Sequence, residues 1–278
     1  MKPFFVVKAS GEKELFSLKK YQVSLRRSGC SDEAILEILK KIKPVLKDGI
    51  TTKRIYSETA KLLKCRNHGS ASRYNLKRGI LDFGPSGYPF EKFVASLFKR
   101  QGYKVSIDKI VNGKCVAHEV DVIATKGNTR AMIECKFHNK QKYSSNVKTS
   151  LYIKARFDDI NLGLKLRGKE KERFNECWIV TNTRFTSRAI KYAECVGIKV
   201  LSWRYPRKGG FAEIVDRLGM IPISCLTILN KKDVNMLLKN EIVVCEDVFN
   251  NLDVLKRLKF SERKINGVID ECKNIMPK

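Results

Sequence analysis

Two apolar runs, residues 118–124 and 129–137, flank the tripeptide Lys126-Gly127-Asn128, and no other stretch constrains the chain so tightly. A Gly-containing turn between β-branched runs favours a tight antiparallel hairpin. Alternation along each strand then decides which side chains share a face. Glu134 and Lys136, two positions apart, project from one face, and Asp121 stands on the partner strand, where its carboxylate can converge with that of Glu134. Their neighbours are Val, Ile and Met, and an unpaired charge among such residues is costly. A divalent cation supplies a reason for the charges: Mg2+ takes hard oxygen ligands, typically one or two carboxylates completed by water and a substrate phosphate. A plain Glu–Lys ion pair on an edge strand is the competing reading of the same residues.

The surrounding pattern divides the chain. The breaker cluster at residues 82–89 separates a mostly helical first part from a mixed second part. The first part opens with a strand at 4–8 and a second at 15–18. Helices follow at 34–42, 55–63 and 73–81, with a polar loop at 65–70. Beyond the breaker, residues 90–101 form an amphipathic helix carrying Glu91 on the face of Val94, Ala95 and Phe98. A strand at 103–107, the hairpin and a helix at 146–159 come next, then a strand–helix–strand unit over 177–202 with the parallel pairing such units adopt. Short helical pieces, broken at Pro222, Asn230 and Asn240, make up the rest. The expected parts are therefore 1–84, 85–212 and 213–278, and the fold class is α/β, a mixed sheet flanked by helices.

Charge narrows the partner. Lys plus Arg number 56 against 29 Asp plus Glu, a net charge of +27 spread along the chain. Such an excess points to a polyanion, nucleic acid first and an anionic membrane surface second. No apolar run approaches the roughly 18 residues of a membrane span, and apolar residues 4–7 are too short for a secretion-signal core, so the chain is expected in the cytoplasm. The 9 cysteines include no C-x-x-C pair. Cys65 with His68 and Cys135 with His138 have ligand-like spacing, but neither has a matching second pair, so reduced thiols are expected in place of zinc.

An Asp on one strand and Glu-x-Lys on the next, here Asp121 with Glu134 and Lys136, resembles the PD-(D/E)xK nucleases. The resemblance implies Asp121 and Glu134 as Mg2+ ligands and Lys136 as the residue that orients or deprotonates the attacking water. Glu91 matches the extra acid of Mrr-type restriction endonucleases and archaeal Holliday-junction resolvases, and Val120 stands where the motif's name has Pro. His118, His138 and Arg184 lie close enough in sequence to contact DNA phosphates; a hydrogen-bonded histidine and a plain helix cap are the simpler readings. DNA is the implied substrate, and a homodimer the implied assembly for cutting two strands.

The N-terminal part resembles the ATP-cone, a small nucleotide-binding regulatory domain familiar from ribonucleotide reductases. Residues 6–16, Lys20 and the run 49–55 carry the likeness. It implies Lys8, Glu14, Lys20 and Thr52 as contacts to ATP or dATP as effector. Ala9-Ser10 replaces the usual Arg-Asp and Tyr56 a frequent His, which removes a bidentate phosphate donor. The fusion resembles restriction endonuclease-like proteins preceded by a cone, and residues 219–242 faintly resemble a helix-hairpin-helix with Asn240 in place of the hairpin Gly. The expected activity is that of a Mg2+-dependent DNA endonuclease. The alternative is a catalytically inactive, nucleotide-responsive DNA-binding regulator.

Overall fold

The computed structural model describes residues 3–276 apart from Ala9 and Asn67, and His68 by its backbone alone. The cone departure at Ala9 and the Cys65–His68 spacing thus fall partly outside the described residues. The chain divides into two compact units, one holding residues up to Asp82 together with those from Ile221 onward, the other Phe83–Met220.

In the first unit, β1 (Phe5–Val7) pairs antiparallel with β2 (Lys13–Leu15), and after α1 (Leu18–Arg27) and α2 (Asp32–Ile42) the short β3 (Ile50–Thr51) returns parallel to β1. Helices α3 (Thr52–Arg66), α4 (His68–Tyr74) and α5 (Leu76–Leu81) follow. The second strand ends at Leu15, short of the expected 18, because Ser17 accepts the Lys20 N–H and starts α1. Helix α2 buries Ala34, Ile35, Ile38 and Ile42, the spacing its sequence shows, behind a Ser31 cap and an acidic first turn. The polar stretch expected as a loop at 65–70 is largely helix. Gly69, Ser70, Ala71 and Ser72 are all buried, and such small side chains let α4 pack closely against its neighbours.

The second unit runs α6 (Tyr88–Arg100), β4 (Lys104–Asn112), β5 (Ala117–Lys126), β6 (Thr129–Lys136), α7 (Val147–Leu166), β7 (Glu176–Thr181), α8 (Ser187–Cys195), β8 (Ile198–Leu201) and α9 (Phe211–Arg217). Strand order is β4-β5-β6-β7-β8, antiparallel across the first three and parallel across the last three. This is the expected mixed sheet flanked by helices. On one face Val120, Ile123, Met132 and Cys177 pack with Ile153 and Ile160 of α7 and Ala189 of α8. On the other, Phe98 of α6 meets Trp178 at 5.6 Å. Asn161 of α7 donates to Phe174 O at 2.9 Å and accepts from its N–H at 2.8 Å, fixing the helix to the chain entering β7.

The C-terminal helices α10 (Lys231–Lys239), α11 (Cys245–Asn250), α12 (Leu252–Arg257) and α13 (Glu262–Ile275) belong to the first unit. A buried carboxylate ties them there: Glu271 accepts from Ser72 Oγ (3.0 Å) and from the N–H groups of Thr227 (2.7 Å) and Ile228 (3.0 Å). After α10 the left-handed residue is Glu241, with φ 63°, and not Asn240. Among the described residues no helix is long and apolar enough to cross a membrane.

Candidate active site

The hairpin is interrupted where its charges stand. Toward β4 the pairs Ile107–Val122 and Lys109–Val120 bracket Asp108 and Asp121, and Asp108 takes the left-handed φ of 50°. Toward β6 the ladder ends at Val122–Ile133, and the next N–H, that of Cys135, donates to Asp121 Oδ2 at 2.6 Å. Val120 and Ile123 both enter the core beneath α7, although three positions apart, so alternation breaks between them at Asp121 and Val122. The break brings the Asp121 carboxylate to the β6 backbone. Extending the register by one position sets it opposite Glu134.

Glu134 lies two positions after Met132 and therefore faces α7; it is buried, at 3 % exposure. Each of its oxygens has a cation. Lys136 Nζ lies 2.5 Å from Oε1, and Arg156 Nη1 of α7 lies 2.5 Å from Oε2. Arg156 also donates to Glu119 O and to Tyr152 Oη, with its guanidinium 4.8 Å from the Tyr152 ring centre.

Glu91, in the first turn of α6, reaches the same end of the sheet. Burial raises its carboxyl to about 8, helped by the charges of Asp121 and Asp108 and by a hydrogen bond with Asp108. Asp121 is pushed up to about 6 by burial and by Glu134, against the pull of the Cys135 N–H, Lys136 and Arg156. Burial is the larger cause of both shifts and the neighbouring acids add to it, so a cation placed there favours the ionised carboxylates. Asp121 Oδ1 takes no hydrogen bond among the described residues. No three His, Cys, Asp or Glu side chains among those residues converge into a complete metal cage. Two carboxylates with the rest of the shell left to water and phosphate is the donor set Mg2+ takes, so the residues fit that ion.

The other candidates take different places. His118 is engaged by Asp159 of α7, Nε2 to Oδ2 2.8 Å, on the α7 side of the sheet. His138 follows the site directly: its backbone exchanges hydrogen bonds with the Asn182 side chain, its Nε2 lies 3.3 Å from Ser145 Oγ, and burial and Lys136 hold its pKa down. Arg184 is exposed and donates to Lys142 O at 3.3 Å. Asp108 and Arg156 complete the cluster, and neither has a site role in the motif. An Asp within a strand run is the only local signal of the first, and an Arg four positions after Tyr152 on the following helix the only one of the second.

A second charge cluster occupies one end of the small sheet. Glu14 Oε2 lies 2.5 Å from Lys8 Nζ and Oε1 2.5 Å from Lys20 Nζ, which hold its carboxyl down at about 2, Lys20 most strongly. Extending the β1–β3 register by one residue sets Thr52 beside Lys8. Tyr56 stacks on Tyr74 at 5.0 Å and donates its hydroxyl to Asn75, so it lies within the helical packing.

Comparison with known proteins relates the chain to two families and a solved structure. A family profile described as "Restriction endonuclease" matches residues 85–156, which span α6, the hairpin and the first half of α7. A second, described as "AF1548-like, C-terminal", matches residues 222–276. An uncharacterized protein of Archaeoglobus fulgidus is 38 % identical over 184 residues, 66 % of this chain and 99 % of the relative. A solved structure titled "Crystal Structure of Protein of Unknown Function AF1548" superposes with a TM-score of 0.57 at 36 % identity, covering 68 % of this chain and 98 % of that one.

Proposed function

This chain belongs to the AF1548-like family and carries a restriction endonuclease-like domain, and from that membership we propose a Mg2+-dependent DNA endonuclease that hydrolyses phosphodiester bonds. Asp121 and Glu134 would hold the ion, which when bound lowers the pKa of a water and offsets charge on the phosphate oxygens. Lys136 Nζ, held on Glu134, would orient that water. Glu91, whose carboxyl burial raises to about 8 in the metal-free protein, shares a hydrogen bond with Asp108 next to Asp121. Lysines and arginines grip backbone phosphates without reading sequence, and about six such contacts cost roughly a thousandfold in affinity between 50 and 200 mM salt. Cutting both strands suits a homodimer. The Lys8, Glu14, Lys20 and Thr52 cluster is the place for ATP or dATP as effector in a cone-like N-terminal part.

Asp121 carries the reading: one oxygen is fixed by a strand N–H, the other has no partner among the described residues, and burial together with the facing Glu134 raises its pKa. Supercoiled plasmid with and without Mg2+ tests it. Nicking or linearisation that needs Mg2+ and disappears in Glu134→Gln is the expected result. Plasmid binding without cutting under all divalent ions overturns the endonuclease and leaves the nucleotide-responsive DNA-binding regulator.

A further inference from the structure

Arg156 is the one cation of this site to which the endonuclease chemistry above gives no task. Its side chain is only 12 % exposed and that of Glu134 4 % exposed, so both members of the pair are largely withdrawn from water. Removing one partner of such a pair strands a buried charge, so a partner can leave only in exchange for another of the same sign. Glu134 Oε2 is the atom at which that exchange must occur, because Oε1 is already held by Lys136. The guanidinium is also incompletely satisfied where it stands: Nε is buried and has no acceptor. What holds it besides Glu134 is light, one carbonyl at 3.1 Å and the hydroxyl and ring of Tyr152, which is itself 56 % exposed. A guanidinium that loses its carboxylate at the rim of a nuclease site has a natural second anion, since a phosphate accepts its planar fork bidentately.

We propose that Arg156 is a stand-in for the metal: it neutralises Glu134 while no ion is bound, yields that oxygen to Mg2+, and then pairs with a phosphate of the DNA. This rests on the reading of Asp121 and Glu134 as metal ligands. The consequence is an order of assembly. Ion and guanidinium compete for Glu134 in the absence of DNA, and DNA favours the ion because it gives the displaced guanidinium a partner.

The test is calorimetric titration of Mg2+ into metal-free protein without DNA, for wild type, Arg156→Gln and Arg156→Lys. Losing one charge-assisted bond to Glu134 should tighten Mg2+ binding by Arg156→Gln about tenfold. Arg156→Lys, which keeps the charge, should bind Mg2+ as wild type does. With Ca2+ in place of Mg2+, Arg156→Gln should bind duplex DNA about tenfold more weakly, with a log–log salt slope flatter by about 0.9. Unchanged or weaker Mg2+ binding by Arg156→Gln, while wild type binds the ion, overturns the stand-in and leaves the endonuclease reading intact. Unchanged DNA affinity overturns the phosphate half of the proposal. No Mg2+ binding by wild type or variant overturns the metal-ligand assignment itself, and this inference with it. Should Arg156→Gln fail to fold, Tyr152→Phe removes only the exposed hydroxyl that steadies the guanidinium, and it must tighten Mg2+ binding a few-fold for the proposal to stand.

Discussion

Replacing Glu91 by Gln should change how the metal-free protein responds to pH. Glu91 moves from 4.5 to about 8 in the folded state, chiefly through burial, with Asp121 and Asp108 adding to it. Across that interval the native protein holds a proton that the unfolded chain has released, so stability falls as pH rises and levels off above the folded value. A carboxyl displaced that far carries about 5 kcal/mol at about 1.4 kcal/mol per pH unit. Glu91 is only half-buried, and solvent screening reduces the expected effect to about 2 kcal/mol. In a domain of this size that is about 4–8 °C in melting temperature. The assay is thermal unfolding in EDTA near pH 5 and near pH 8.5, for wild type and Glu91→Gln. The difference between the two proteins is the quantity of interest, because His138 and the other titrating groups are common to both. Gln keeps the size and a donor toward Asp108 while never ionising, so the variant should lose less stability across the interval. Parallel pH dependences for the two proteins would refute a proton held among Glu91, Asp108 and Asp121.

The remaining expectations concern the frame and the proposed nucleotide site. Asn161→Ala strands the buried N–H and C=O of Phe174 and should cost about 2–3 kcal/mol in chemical denaturation; no loss would mean that water replaces both bonds. Gly163→Ala puts a methyl against the backbone of Gly113 and Lys114, where α7 meets the β4–β5 turn, and should cost about 1–3 kcal/mol with greater protease access at that turn. ATP at about 100 times its dissociation constant should stabilise the first unit by about 2.7 kcal/mol, and an unshifted melt at millimolar ATP retires Lys8, Glu14, Lys20 and Thr52 as a nucleotide site.

Much of this architecture is legible without coordinates because it depends on local chemistry. Lys126-Gly127-Asn128 dictates a reversal, and with it the neighbourhood of Asp121 and Glu134. The three- and four-residue spacing of Ala34, Ile35, Ile38 and Ile42 dictates a helix with one buried face. Ser31 marks a helix start because its hydroxyl accepts an N–H group that has no partner within the helix. Other features required the fold. Residues 65–70 look like a loop by composition and are largely helical, with residues 69–72 buried by neighbouring helices. Glu271 joins the C-terminal helices to Ser72 across 199 positions, an attachment with no local signature. The break in alternation at Asp121, the left-handed Asp108 and the clasp of Arg156 on Glu134 follow from strand pairing and from the docking of α7 on the sheet. Turn chemistry and periodicity act over a few residues and can be read along the chain. Charge pairing in a buried site is decided by which helix covers which strand, and that is settled only when the whole core packs.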